Sequence, residues 1–403
     1  MKIAQLFLFF ICISYTLTCT GSSIISNDST SSNEPANSIS REAIRHKIIT
    51  TYASVTGDAC TNLAGGLKQG TTCLWMLNLN ASLETQHAGL WRGGQLFVNM
   101  AAINGKSPSE NLTGDFQVIS NIDGGNHLFL QECWYKQTFR KTEITIGLQD
   151  MNIEFAGNST GSLFINSSFG IPPVISNNIP APLFPLTAPG ITIKTALNNN
   201  INLLAAVYDG CPTAFEQNTF NLRWHLQPED GKLFVSEFQF STNFKNLPGN
   251  IKTGYYYHTG LTEAQPDSGI NIRKFHQNYG LYLISDLTIL KSKTSHRTLN
   301  FFYQLATSTS SVNAHNSYTG AGFTFSGFSR RKPEDAVGIA IANAGFSAHN
   351  KKSETTIESF YIKYITPRLF IQADLQYIIH PAGFDTNLPN ALAGVLRIGL
   401  SLE

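Results

Sequence analysis

The last fifty residues constrain this chain most. Within Glu354–Glu403, the stretch Leu369–Ile379 puts Leu369, Ile371, Ala373, Leu375, Tyr377 and Ile379 on one parity. Gln372, Asp374 and Gln376 take the other. Ala391–Leu402 repeats the pattern, with Leu392, Leu396, Ile398, Leu400 and Leu402 set against Arg397, Gly399 and Ser401. An unbroken period of two means strands with one apolar and one wet face. Strands of about 10 residues exceed the ~5–6 usual in soluble sheets and match the ~9–11 that cross a bilayer at a tilt. The choice is therefore between the closing seam of a transmembrane barrel and the edge of a large soluble β-protein.

Composition bears on that choice. Charged residues make up 14% of the chain, against about 25% in ordinary soluble domains. Mean hydropathy is only −0.08, and no long apolar run occurs beyond the N-terminus, which excludes a bundle of membrane helices. A barrel accommodates both facts, because only alternate residues meet lipid. The formal charge of +1 gives no reason to expect nucleic acid as a partner. At the N-terminus, Lys2 followed by the apolar run Leu6–Ile13 and small or polar residues to Gly21 reads as a signal peptide over residues 1–21. Residues 22–47 read as a Ser/Asn-rich leader ending in a short helix. The barrel is expected over residues 48–403.

Period-two segments recur along the mature chain, about sixteen in all, an even number within the range of single-chain outer-membrane barrels. The eighth and ninth are expected at Asn218–Leu226 and Lys232–Ser241. Gly114–Asn121 and Ile251–His258 also alternate, but placing them inside loops makes short and long connections alternate along the whole chain. Gly57–Thr72 is then the first long loop. Short periplasmic turns on one rim and long extracellular loops on the other are the mark of an up-and-down antiparallel barrel. The longest connection, residues 150–190, is proline-rich from Pro172 to Pro189. A loop of that length and stiffness is expected to fold into the pore as a constriction.

Particular residues carry a resemblance. Thr355-Thr356-Ile357-Glu358-Ser359-Phe360-Tyr361, Thr366-Pro367-Arg368-Leu369, the run from Gln372 through Tyr377-Ile378-Ile379-His380-Pro381-Ala382-Gly383, and Pro389-Asn390-Ala391-Leu392 together resemble the carbohydrate-selective porin family of the OprB type. Arg331-Lys332-Pro333-Glu334-Asp335, Glu132-Cys133-Trp134-Tyr135, Val207-Tyr208-Asp209-Gly210 and Gly57-Asp58 with Asn62-Leu63-Ala64-Gly65-Gly66 extend it upstream. The resemblance implies a sixteen-stranded outer-membrane barrel through which sugars, monosaccharides foremost, diffuse passively into the periplasm. It also implies small sugars and outer-membrane lipid as partners, and assembly as a monomer or, by analogy with other porins, a homotrimer. The chain departs from the common pattern in ending Leu400-Ser401-Leu402-Glu403 rather than on an aromatic.

Sugar contact at a narrow point needs planar charged groups to replace hydroxyl hydration and rings to stack on the apolar sugar face. Alternation nominates inward Arg223 and His225 on the eighth segment and Glu237 and Gln239 on the ninth. It likewise nominates Glu132 and Trp134 on the fourth, and Asp286, Asp374 and Arg397 elsewhere. Cys60 and Cys73 flank a Gly-rich stretch and are the expected disulfide pair. No GxSxG, HExxH or phosphate-binding Gly loop occurs, so no enzyme, metal or cofactor is expected. The competing reading is an exported soluble or surface β-protein that binds glycans.

Overall fold

The computed structural model describes residues 48–402 apart from 225, 227, 261, 264–273, 276, 310, 330–331, 348–351 and 384–387. The expected signal peptide and leader lie outside the described residues. Sixteen antiparallel strands close into one barrel. They are β1 (Ile49–Ala64), β2 (Gly70–Glu84), β3 (Gly94–Gly105), β4 (His127–Phe139), β5 (Thr142–Gln149), β6 (Ala188–Ala196), β7 (Ile201–Asp209) and β8 (Lys232–Phe244). The second half holds β9 (Leu247–His258), β10 (Asn278–Lys291), β11 (Thr298–Ser308), β12 (His315–Ser326), β13 (Ala336–Phe346), β14 (Glu354–Thr366), β15 (Leu369–Ile379) and β16 (Ala391–Leu402). A separate two-stranded ribbon pairs Thr262–Glu263 with Lys274–Phe275.

Each strand pairs with its chain neighbours, and β16 closes on β1 over Ala53–Ala64. Closure removes the free edges that an open sheet would expose. The alternation read from sequence holds along most of the wall, the bulge on β4 that turns both Gln131 and Glu132 inward being an exception. Ile371, Leu375 and Tyr377 of β15 and Leu396, Ile398 and Leu400 of β16 are exposed on the outside, whereas Gln372, Asp374, Gln376 and Arg397 are buried inside. On β14, Glu358 faces in and Lys363 faces out; Lys363 sits near the short-turn end and reaches Asp335 at 3.7 Å.

Three expectations fail, each for a physical reason. Asn218–Leu226 is not a strand; its place in the wall is taken by β9, which includes the demoted Ile251–His258. Leu247-Pro248-Gly249-Asn250 reads as turn punctuation, yet the turn is only Lys245–Asn246, with φ of 51° and 64°. Two left-handed residues in a row make the tight hairpin whose twist matches its strands, and Pro248 sits one residue into β9, paired with Asn243. Gly57–Thr72 is not a long loop, because β1 and β2 run on until residues 65–69 alone connect them. Finally, Cys60 and Cys73 form no disulfide. Cys60 is opposite Thr72 while Cys73 is opposite Ala59, so the two side chains leave opposite faces of the sheet. Cys60 is buried inside and Cys73 exposed outside.

Candidate functional site

Two long-rim loops fold back into the barrel and are held there by wall side chains. The larger, residues 150–187, is pinched at its neck. Met151 N–H donates to Pro182 C=O at 2.8 Å, and Asp150 accepts from the N–H groups of Asn152 at 2.9 Å and Phe184 at 3.1 Å. Burial pushes the Asp150 carboxyl up to about 6. From the neck the loop runs across the lumen, burying Met151, Phe155, Phe164, Phe169, Val174 and Ile175 against inward Leu204, Tyr208, Leu233, Val235, Tyr256, Tyr282, Ile284, Phe302, Phe360 and Ile362. Over β7–β14, therefore, the large loop and the inner wall share a buried apolar core.

Burying loop backbone requires partners for its N–H and C=O groups, and the inner wall supplies them. Glu237 accepts from Ala156 N–H at 2.7 Å, from the Tyr282 hydroxyl at 2.8 Å and from the Gln239 amide at 2.7 Å. Asp286 accepts from the N–H groups of Ser159 at 2.8 Å and Thr160 at 2.9 Å. Glu358 accepts from Ile165 and Asn166 at 2.6 and 3.0 Å. Gln304, Gln372, Tyr256 and Tyr318 donate to loop carbonyls at 2.7–3.1 Å. Tyr282 can lie flat across the wall because its cross-strand neighbour is Gly254, where a Cβ would come within 2.0 Å of the ring.

The second loop, residues 106–126, packs on the first. Asn121 N–H donates to Ile165 C=O and Ser167 N–H to Val118 C=O, each at 2.9 Å. Glu354 receives the N–H groups of Phe116 and Gln117 at 2.7 and 2.9 Å. At the seam, Arg397 meets Asp58 with two 2.7 Å hydrogen bonds and also donates to Asn121.

What these loops leave is a polar sector toward the short-turn rim of β2–β6. Trp134 stacks on Phe97 with centroids 4.8 Å apart and planes 24° apart, and its ring N–H donates to Glu132 at 3.1 Å. Lys136 lies 5.2 Å over the Trp134 ring. Its ammonium also reaches Glu143 at 3.8 Å and Glu154 at 3.5 Å, and Glu154 pairs with Lys194 at 3.1 Å. Inward Asn78, Asn80, Ser82 and Gln95 continue the polar surface. The result is an aromatic platform beside alternating fixed charges, spanning wall and loop.

The predicted residues thus divide. Glu132 and Trp134 stand at this strip. Glu237, Gln239, Asp286, Asp374 and Arg397 face inward, but the first three hold the large loop, Asp374 lies beside Gln376, and Arg397 locks the seam. Arg223 is displaced from its expected place: it is exposed in the connection between β7 and β8, because its segment is not a strand. His225 lies outside the described residues. Lys136, Lys194, Glu143, Glu154 and Phe97 were not nominated. All but Glu154 share the inward parity of their strands, so alternation carried the signal; Glu154, in an irregular loop, had none.

The family model for carbohydrate-selective porins of the OprB family matches residues 68–402. The chain belongs to that family. It is 22% identical to Porin B of Pseudomonas aeruginosa over 408 residues, covering 85% of each chain. The high-pH structure of Pseudomonas putida OprB superimposes with a TM-score of 0.80 at 19% identity, covering 88% of this chain and 94% of that one. The loop-deletion structure of the Vibrio cholerae outer-membrane protein OmpT reaches 0.52 at 8% identity, covering 88% of this chain and 99% of that one. This OprB-family chain is a carbohydrate porin of the bacterial outer membrane, so the outward apolar band meets lipid and the long-loop rim is extracellular.

Proposed function

We propose that monosaccharides pass through the sector bounded by Phe97, Trp134, Lys136, Glu143, Glu154 and Lys194, with residues 150–187 as the constriction. The observation that carries this reading is the apolar packing of the large loop over β7–β14, which confines a hydrated path to the opposite wall. There a sugar ring lays its apolar face on Trp134 while its hydroxyls exchange water for the charges of Lys136, Glu154 and Lys194. These charges already neutralise one another, so an uncharged solute suffers no net repulsion. Weak, multi-point contact of this kind lets a solute enter and leave.

Reconstituted vesicles should swell in monosaccharide solutions and much less in large oligosaccharides; swelling that ignores solute size would sink the proposal. Trp134→Ala removes a stacking contact of about 0.5–1.5 kcal/mol. The sugar concentration giving half-maximal flux should therefore rise roughly 2- to 12-fold, with the size cut-off unchanged. An unaltered half-maximal concentration would return Trp134 to the role of plain wall.

A further inference from the structure

β4 outruns β5. Its pairing with β5 covers only Cys133–Phe139, whereas its pairing with β3 continues up to His127. The upper edge of β4 would stand open where β5 turns inward as residues 150–187. A piece of the β7–β8 connection fills this gap. Leu130 N–H donates to Phe220 C=O at 3.0 Å, and Asn221 returns its amide to Leu130 C=O at 3.1 Å and to the Thr187 hydroxyl at 3.0 Å. Thr187 in turn donates to Gln131 C=O at 2.5 Å. Both backbone groups of Leu130 point away from β3, so Phe220–Asn221 occupies the plane in which β5 would have continued.

The segment is two-sided. Asn218 and Asn221 are buried, Asn218 capping the N–H groups of Leu222 and Arg223 at 3.0 Å each. Phe220, Leu222 and Trp224 are 54%, 62% and 43% exposed, and Arg223 is exposed with no ion-pair partner among the described residues. Height supplies the second observation. Leu130 lies nine residues above Phe139 along β4, which at ~3.4 Å per residue and a tilt of ~40° is roughly 23 Å. That is the upper edge of an apolar band about 25 Å tall, and the neighbouring Leu128 is exposed on the same strand.

We infer that Asn218–Trp224 is a lipid-binding patch of the wall, with Phe220, Leu222 and Trp224 among outer-leaflet acyl chains and Arg223 against a lipid phosphate. Phe220 is hydrogen-bonded to Leu130 beside the exposed Leu128, so the segment adjoins the outward apolar band, which commits the surface to lipid. An apolar body beneath an indole and a guanidinium suits the membrane–water boundary.

The full-length protein carrying Trp75→Phe, Trp91→Phe and Trp134→Phe keeps Trp224 as its single indole. In vesicles of phosphatidylcholine brominated high on the acyl chain, Trp224 emission should fall at least twofold and resist aqueous iodide. Quenching by iodide instead, or by neither agent as beneath a second copy of the chain, overturns the proposal. Native mass spectrometry with phosphatidylglycerol supplies an arm that needs no tryptophan changes. Arg223→Gln should retain at least threefold less anionic lipid than the parent, whereas equal retention overturns the phosphate contact.

Discussion

Arg397→Ala is expected to lower the barrel's unfolding free energy by about 3–5 kcal/mol, the usual cost of removing one partner from a buried ion pair. Arg397 and Asp58 are register partners across the β16–β1 seam, the one joint that must form between strands more than three hundred residues apart in sequence. Asp58 is 2% exposed, and its oxygens accept from the guanidinium at 2.7 Å each and from Ser120 at 2.7 Å. Without the arginine the carboxylate keeps only Ser120, inside a wall backed by Cys60, Ile119 and Val395. The same deletion frees Asn121, so the smaller inner loop loosens as the seam weakens. Asp58→Leu combined with Arg397→Met removes both charges and should recover most of the loss. Guanidinium unfolding in detergent, followed by the gel shift of the unheated protein, gives the comparison. If the double variant proves as unstable as the single one, the seam depends on packing rather than on this pair.

How much of this was legible beforehand turns on what alternation can and cannot say. Parity fixes the face of a side chain, and it did so for Glu237 and Gln239 although the strand holding them was placed in the wrong direction. With Asn218–Leu226 counted as the eighth strand, Lys232–Ser241 became the ninth and should run toward the long-loop rim. As β8 it runs toward the short-turn rim, yet the same residues face in. Loop alternation holds between residues 106 and 277, where one false strand replaced one missed strand and left the count even, but not toward the ends, where residues 65–69 are fewer than 85–93 and residues 327–335 outnumber both 309–314 and 347–353. The apolar quartet of Phe220, Leu222, Trp224 and Leu226, which alternation sets opposite Arg223 and His225, is exposed, but from an irregular segment.

The apolar core shared by loop and wall also had a sequence signal. Leu203-Leu204-Ala205-Ala206-Val207-Tyr208 is apolar at every position, the pattern of a strand buried on both faces. A uniformly wet lumen predicts polar residues at Leu204, Ala206 and Tyr208. The large loop meets these side chains instead. What no local pattern contains is which wall residue meets which loop N–H, since Glu237 and Ala156 are 81 positions apart.

That long-range placement gives Glu237→Ala together with Asp286→Ala the largest expected effect on transport. The two carboxylates hold the loop across residues 156–160, on the stretch that leads from Glu154 to the apolar core. Removing Glu237 strands Ala156 N–H and the Tyr282 hydroxyl and leaves the Gln239 amide only its 3.4 Å bond to Glu154 C=O, and each buried donor left unpaired costs about 1–3 kcal/mol. Glu237 is 1% exposed, so water reaches those donors only if the loop moves. One response is for residues 152–163 to swing off the wall, drawing Phe155 and Ala156 out of the core, while Phe164, Phe169 and Val174 stay packed. Glu154 moves with that stretch and leaves Lys136 and Lys194, opening the polar sector. Single-channel conductance should rise at least twofold with added open-state noise, and vesicles should begin to swell in a trisaccharide excluded by the parent. Trp134→Ala, by contrast, weakens sugar contact without widening the path. Should the double carboxylate variant keep the parent's conductance and size cut-off while losing stability, residues 150–187 would be packing for the wall and the narrowest point would lie elsewhere.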